Sequence, residues 1–286
     1  MFFKNFFFWV YIAYKVCRNL LLLPYYCLLN RELFGDRLRH LVREIIDLEM
    51  WFQPRYVSIS LDELYTMLGR VSPHLHLLFR NGRFNINLRE CVTIAYVTQA
   101  TRPGKVLEIG TFDGFSTYHL AKNCPDNAVV YTLNLPLENT VTLDANEAYR
   151  DQFTHEALGR HGLGAVYKAS DVSHKVVQLF GDSTKFDFTP YHGQIDLAFI
   201  DGGHTYDIVK SDTENVFKML SDRGVVLWHD FDVQHYDIYR YLRELARGLK
   251  VMHIQGTRLG IFIKNTALLS ANAQEVATLQ GSDFRA

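Results

Sequence analysis

The densest concentration of groups able to move a proton or grip a cation is Ile195-Asp-Leu-Ala-Phe-Ile-Asp201-Gly-Gly-His204-Thr-Tyr206, with Asp212 further on. An apolar run delivers Asp201 at its end, and His204 follows three residues later. A second apolar run, Gly224-Val-Val-Leu-Trp-His229-Asp230, ends on another histidine and aspartate. If the two runs are neighbouring parallel strands, their ends lie roughly 5 Å apart, and Asp201, His204, His229 and Asp230 converge. An imidazole titrates near neutral pH, which suits His204 to take a proton from a hydroxyl. Two acids buried side by side repel one another. A Mg²⁺-like ion would relieve that repulsion and could hold substrate oxygens. The plainer alternative is that the aspartates cap the helices that follow and the histidines only hydrogen-bond.

Upstream lies Val106-Leu-Glu108-Ile-Gly110-Thr111-Phe-Asp113-Gly114-Phe-Ser116. A buried strand there runs through a glycine turn into a helix. Glycine lets backbone approach a ligand closely, and the helix start can hold an anion. A dinucleotide site would show G-x-G-x-x-G at this place; this chain has G-x-x-x-G, with Glu108 two residues earlier. The next apolar run ends at Asn134, where nucleoside binders of this architecture place an acid for the ribose hydroxyls. An amide can accept such a bond through its carbonyl oxygen, without charge assistance. Gly181-Asp182-Ser183 follows a further stretch, and reads either as a ligand contact or as an Asx or Ser turn ahead of Phe186.

These groups need a scaffold that brings strand ends together. Apolar runs at Lys105–Ile109, Ala128–Leu133, Ile195–Ile200, Gly224–Trp228 and Gly260–Ile263 alternate with helical stretches at Ser116–Ala121, Tyr206–Leu220 and Asp237–Leu249. Continuous apolar strands separated by helices predict a doubly wound α/β fold, with a mostly parallel sheet covered on both faces. Ligands bind such sheets at the carboxyl ends of the strands. The segment Thr101–Lys105, with Pro103 and Gly104, marks the start of this domain, expected over residues 101–265. Residues 31–100 read as a helical lead-in, with helical spacing over Glu32–Met50 and Leu88–Gln99 and a capping box at Ser60 and Glu63. Residues 266–286 form a tail.

The strand–E-x-G-x-x-x-G–helix unit resembles motif I of the class I S-adenosylmethionine-dependent methyltransferases. Asp201-Gly-Gly-His204 and His229-Asp230 resemble the D-G-x-H and H-D motifs of the family that includes sugar and small-molecule O-methyltransferases. The resemblance covers roughly Arg102 to Lys264. It implies a seven-stranded Rossmann-like sheet and S-adenosyl-L-methionine as cofactor. The cofactor would be held by Glu108, Gly110, Thr111, Asp113, Ser116, Asn134, Asp182 and Ser183, with Glu108 at the amino end, Ser116 at the carboxylate and Asp182 at the adenine amino group. The implied reaction methylates a hydroxyl oxygen of a small molecule, a sugar or glycan intermediate being the first choice. His204 would be the base, and Asp201, His229 and Asp230 the ligands of a Mg²⁺ ion, Asp201 thus sharing in catalysis. Three rivals share such a sheet. The glycine spacing opposes a nicotinamide-dependent oxidoreductase, the His–Asp clusters oppose a degenerate cofactor-binding module, and no acidic polyamine pocket supports an aminopropyl transferase.

The 286 residues carry a formal net charge of -1. That lacks the basic excess with which a protein neutralises phosphates, so nucleic acid is not an expected partner. Cys17, Cys27, Cys91 and Cys124 are scattered, which predicts free, mostly buried thiols in a reducing, cytoplasmic setting. The first 30 residues are dense in Phe, Tyr, Trp and Leu, but no uninterrupted apolar run reaches the roughly 18–20 residues of a spanning helix. On a helix, Lys4, Tyr11, Lys15, Arg18 and Asn19 share one side and Phe2, Phe6, Trp9, Ala13, Val16 and Leu20 the other; Phe8 and Ile12 interrupt the polar arc, and Pro24 ends it. Such a helix suits a membrane interface, at the inner face, where a lipid-linked acceptor would become attractive. It equally suits packing on its own domain or on a second copy of the chain.

Overall fold

The computed structural model describes residues 56–69, 74–80, 86–136 and 162–265. The amphipathic helix expected over residues 1–30, the periodicity read over Glu32–Met50 and the tail 266–286 lie outside the described residues. The strands are β1 (Val57–Ile59), β2 (Lys105–Ile109), β3 (Val129–Asn134), β4 (Val176–Phe180), β5 (Ile195–Ile200), β6 (Leu220–Trp228), β7 (Met252–Ile254) and β8 (Gly260–Ile263). The helices are α1 (Leu61–Met67), α2 (Leu88–Thr101), α3 (Phe115–Asn123), α4 (Ala165–Lys168), α5 (Tyr206–Met219) and α6 (Tyr236–Leu245).

All eight strands form one sheet in the order β1-β7-β8-β6-β5-β2-β3-β4. Strands β2 to β6 pair in parallel; β8 runs antiparallel to both β6 and β7, and β1 is parallel to β7. Alternate residues of each central strand enter opposite cores. Val106, Leu197 and Val225 meet Leu64, Ile94 and Leu120 from α1, α2 and α3 on one face. Leu107, Ala198 and Val226 meet Val216 and Leu242 from α5 and α6 on the other. This is the doubly wound arrangement that strands apolar on both sides require. Strand order reverses between β2 and β5, and that switch point sets the crevice in which such sheets bind ligands.

Two expectations are corrected. The sheet has eight strands rather than seven, and the lead-in is not wholly helical, because it supplies β1. This strand is three residues long, exposes Val57 and Ser58, and finds its partner β7 across the chain, Val57 opposite Met252. So short a strand shows no period, and its pairing is entirely non-local. The edge strand β4 was likewise absent from the apolar runs because it exposes Val177 and Phe180. The capping box at the start of α1 is present: Ser60 Oγ accepts from Glu63 N at 3.1 Å, and Glu63 Oε2 accepts from Ser60 N at 2.7 Å. Cys91 and Cys124 are free and buried, and burial pushes both thiols up to about 12. No helix among the described residues is long and apolar enough to cross a membrane.

Candidate active site

At the switch point the ends of β2 and β5 almost touch. Asp201 N donates to Ile109 O at 2.8 Å, and Gly110 N donates to Leu133 O at 2.9 Å. A Cβ on Gly110, whose φ is +102°, would lie 2.0 Å from the Asp201 carbonyl oxygen. Only glycine lets these backbones cross, whatever ligand binds above them. Gly114 caps α3 without a side chain, so the first-turn N–H groups face outward for an anion. Phe115 N is the exception, since it donates to Asp113 Oδ1 at 3.1 Å. Asp113 also receives Arg80 Nη1 on Oδ2 at 2.9 Å. Ser116, nearly buried, sits in this first turn.

Beneath the turn lies a floor of hydroxyls and amides. Glu108 is fully buried; its Oε2 accepts from the hydroxyls of Thr117 and Thr132, and its Oε1 has no hydrogen bond among the described residues. Burial pushes its carboxyl up to about 7, against the opposing pull of the Ser116, Thr117 and Thr132 hydroxyls. Thr111 Oγ1 bonds Thr132 Oγ1 at 2.7 Å and accepts from Gln178 Nε2 at 3.0 Å. Asn134 Oδ1 accepts from the backbone N–H groups of Thr111 at 3.1 Å and Phe112 at 3.3 Å. Both expected contacts therefore change character. Glu108 is enclosed below the turn, its carboxylate on the Thr117 and Thr132 hydroxyls. The Asn134 oxygen meant for a ribose hydroxyl already shapes the turn, Phe112 of which has a φ of +48°.

The ends of β5 and β6 are built from charge. Asp201 Oδ1 lies 3.0 Å from His229 Nδ1. His229 Nδ1 is also 3.3 Å from Asp230 Oδ1, and its Nε2 is 3.4 Å from Glu90 Oε2. Asp230, held at a φ of +58°, places Oδ2 3.0 Å from His204 Nε2 and receives Arg258 Nη1 on Oδ1 at 2.8 Å. His235 Nδ1 stands 3.4 Å from the same Oδ1. Burial works against charge on Asp230, but His204 and His229 hold it well below the usual carboxylate range. Burial likewise disfavours charge on His229, yet Asp201 and the other acids raise it well above the ordinary imidazole value. Glu90 is fully buried at the start of α2, and burial pushes it up; bonds from His229, Asn87 and Arg258 outweigh that and set its carboxyl at about 2.

Asp201, His229 and Asp230 do offer donor atoms within 4.8 Å of one another, as do His204, Asp230 and His235. The arrangement nevertheless does not fit a divalent ion. Both oxygens of Asp230 are engaged, one by Arg258 and one by His204, and His229 Nδ1 points at the carboxylates it would have to share with a metal. The repulsion that suggested a cation at the sequence level is relieved by Arg258 and the histidines.

Of the other expected residues, Asp182 forms an Asx turn: Oδ1 accepts from Thr184 N at 3.0 Å and Thr184 Oγ1 at 2.7 Å, and Oδ2 pairs with Lys185 at 3.1 Å. Ser183 flanks a fully buried carboxylate, Asp212 of α5. Burial pushes Asp212 up to about 6, Asp182 adds to that, and the Ser183 hydroxyl opposes it. Neither Asp212 oxygen has a hydrogen bond among the described residues, and one would lie 3.4 Å from a Cβ on Gly202. Sequence reasoning missed Glu90, Arg258 and His235. The pattern Asn87-x-x-Glu90 was legible as a capping box, and it is one: Glu90 Oε2 accepts from Asn87 N at 2.8 Å. Its second role, and the whole role of Arg258, had no local signal.

Residues 107–231 match the family model described as Methyltransferase domain. The matched segment carries the glycine turn and both strand-end clusters, while Glu90 and Arg258 lie outside it. The uncharacterized protein y4gI of Sinorhizobium fredii (strain NBRC 101917 / NGR234) is 26% identical over 157 residues, 53% of this chain and 16% of that protein. The chain therefore spans about one sixth of that relative's length. Among solved structures, cofactor-bound Rv0187 from MTB is 18% identical with a TM-score of 0.45, over 64% of this chain and 84% of that one. The O-methyltransferase TomG from Streptomyces achromogenes, solved in complex with SAM, is 16% identical with a TM-score of 0.41, over 63% and 82%.

Proposed function

We propose that this domain methylates a hydroxyl oxygen of a small molecule, with S-adenosylmethionine as donor and His204 as base. The observation that carries the reading is the His204–Asp230 pair. Nε2 of His204 lies 3.0 Å from Asp230 Oδ2, and no other hydrogen bond engages His204 among the described residues. Its side chain is 32% exposed. An imidazole that donates Nε2–H to a carboxylate keeps its lone pair on Nδ1, at the mouth of the crevice.

The residues present fit the donor. The turn from Thr111 to Ser116 and the side-chain-free cap of α3 offer N–H groups to a carboxylate, and Asp182 and Ser183 stand at the end of β4 for the adenine. When bound, S-adenosylmethionine supplies a methyl carbon made electrophilic by its sulfonium. His204 Nδ1 would take the proton of the acceptor hydroxyl, since an aliphatic alcohol is a poor nucleophile while it keeps its proton. Asp230 fixes the ring's tautomer and angle and stabilises the imidazolium that forms. Asp201, whose side chain is 24% exposed, can accept a bond from a neighbouring hydroxyl and orient the acceptor. Adjacent acceptors of this kind favour a polyhydroxy acceptor, a sugar or glycan, and a lipid-linked one if residues 1–30 bind membrane.

The test is calorimetry together with a transfer assay. The purified protein should bind S-adenosylhomocysteine with a Kd on the order of micromolar. His204→Ala should keep that binding yet lose about 100-fold or more of methyl transfer across a panel of sugar acceptors. Failure to bind S-adenosylhomocysteine overturns the donor, and undiminished transfer by His204→Ala overturns the base.

A further inference from the structure

We propose that Arg258 is the resident cation of Asp230 and Glu90, occupying the Asp230 oxygen that a divalent ion on Asp201, His229 and Asp230 would need, so that the site works with a charge supplied by the chain itself. The proposal rests on the site assigned above but not on its reaction.

Arg258 sits in the turn between β7 and β8, and its placement is fixed at three points. Its carbonyl oxygen accepts from Phe231 N at 2.9 Å, which ties the turn to the residue after Asp230. Its own N–H donates to Glu90 Oε1 at 2.9 Å, and its Nε lies 3.3 Å from the same oxygen. Its Nη1 donates to Asp230 Oδ1 at 2.8 Å. One guanidinium thus bridges two buried carboxylates that come from α2 and from the end of β6. A planar, permanently charged fork can bond both carboxylates at once, whereas an ammonium supplies the charge without that paired geometry.

The same oxygen decides the metal question. A divalent ion on Asp201, His229 and Asp230 would need Asp230 Oδ1, the oxygen facing His229 at 3.3 Å. That oxygen already carries Arg258, and the other oxygen of Asp230 carries His204. An ion bound there, at about 2.0–2.6 Å from its ligands, would share an oxygen with the guanidinium and be repelled by it. Neither Arg258 nor its partner Glu90 belongs to residues 107–231, so the segment matched by the family does not contain the groups that settle its own charge balance.

The test uses the 286-residue chain without cofactor, so that it succeeds or fails independently of methyl transfer. Mn²⁺ binding is followed by electron paramagnetic resonance, and the melting temperature is taken with EDTA, Mg²⁺ or Mn²⁺. The wild type should hold no Mn²⁺ tighter than about 1 mM and melt at the same temperature in all three. Arg258→Met keeps an unbranched apolar stem and removes the charged end; it should melt lower and regain stability with Mn²⁺. Arg258→Lys, which keeps the charge, should fold and stay indifferent to Mn²⁺. A wild-type Mn²⁺ site that disappears in Asp201→Asn overturns the proposal. So does an Arg258→Met protein that melts like wild type, or a Mn²⁺ site in Arg258→Lys. Should Arg258→Met fail to fold, the wild-type and Arg258→Lys measurements decide alone.

Discussion

Glu90 and Glu108 are both fully buried, and they stand at opposite poles of one crevice. Glu108, below the end of β2, meets only hydroxyls, and burial leaves its carboxyl at about 7. Glu90, behind the end of β6, meets His229 and Arg258 and is held at about 2. The same residue type is close to neutral in one half and fully charged in the other. On the β2 side the chain works with glycines, threonines, Asn134 and Gln178. On the β5–β6 side it works with carboxylates, imidazoles and a guanidinium. The half proposed to hold the donor, which brings its own positive charge, shapes its turn mainly with neutral bonds, the Arg80–Asp113 pair excepted. The half assigned to proton transfer fixes an imidazole with ions, which hold direction strongly where water is scarce.

The largest expected effect breaks the boundary between the halves. Gly110→Ala sets a Cβ 2.0 Å from the Asp201 carbonyl oxygen at a φ of +102°. It should cost on the order of 3–5 kcal/mol in denaturant unfolding, if the protein folds at all. Gly162→Ala is the control: its φ is +82° but nothing lies within 4 Å, so only backbone strain of about 1 kcal/mol is expected. Equal costs would show that the crossing of β2 and β5 is not as close as described. Next comes Asp230→Asn in the charged half. It removes the anion that orients His204 and leaves Arg258 partly unpaired. Transfer should fall about 100-fold or more while S-adenosylhomocysteine affinity stays within about twofold, since Asp230 is assigned no contact to the donor. A matching loss of affinity would erase the division between the halves.

The neutral half was the more legible in the sequence. A strand, a glycine turn and a helix are local, and Glu108, Gly110 and Gly114 could be placed from spacing alone. The charged half was legible only where strands deliver it, at Asp201, His204, His229 and Asp230. Its balance comes from Glu90 and Arg258, which lie 168 positions apart and meet only because β8 returns between β6 and β7. Without Arg258 in view, two converging acids call for a metal. Asn134 misled in the opposite way: its position suggested a ligand contact, but an amide oxygen at a strand end also serves a neighbouring backbone. The strand β1 escaped for the reason Arg258 did, because its partner is remote and its own three residues carry no period.

The third prediction sharpens the contrast between the two glutamates by pH. The folded state holds a proton on Glu108 up to about 7, from an ordinary value of 4.5. Its contribution to stability is fully present below pH 4.5 and is lost as pH rises through 7. Glu108→Gln, neutral throughout, should therefore gain on the wild type between pH 5 and 8, by up to about 3 kcal/mol in denaturant midpoints. Glu90 has the opposite sign. Its folded value of about 2 lies below the ordinary 4.5, so its contribution is present above pH 4.5 and is lost as pH falls towards 2. Glu90→Gln should accordingly be the less stable protein at pH 7 and draw level at acid pH. Parallel pH profiles for the two variants would show that burial, and not the company each carboxyl keeps, governs both.

The smallest effect tests whether the neutral half tolerates a charge. Asn134→Asp keeps an oxygen for the Thr111 and Phe112 N–H groups and loses only the amide that donates to Leu135 O at 3.0 Å. Stability should fall by less than about 1 kcal/mol. The second carboxylate oxygen is then available to a ribose hydroxyl, with charge assistance that the amide lacks. S-adenosylhomocysteine should bind a few-fold tighter by calorimetry, worth about 1 kcal/mol. If affinity is unchanged while Asn134→Ala loosens it, the side chain acts on the ligand only by shaping the turn from Thr111 to Asp113. The donor would then be recognised in this half through backbone geometry, which is what a floor made of neutral bonds is best able to hold still.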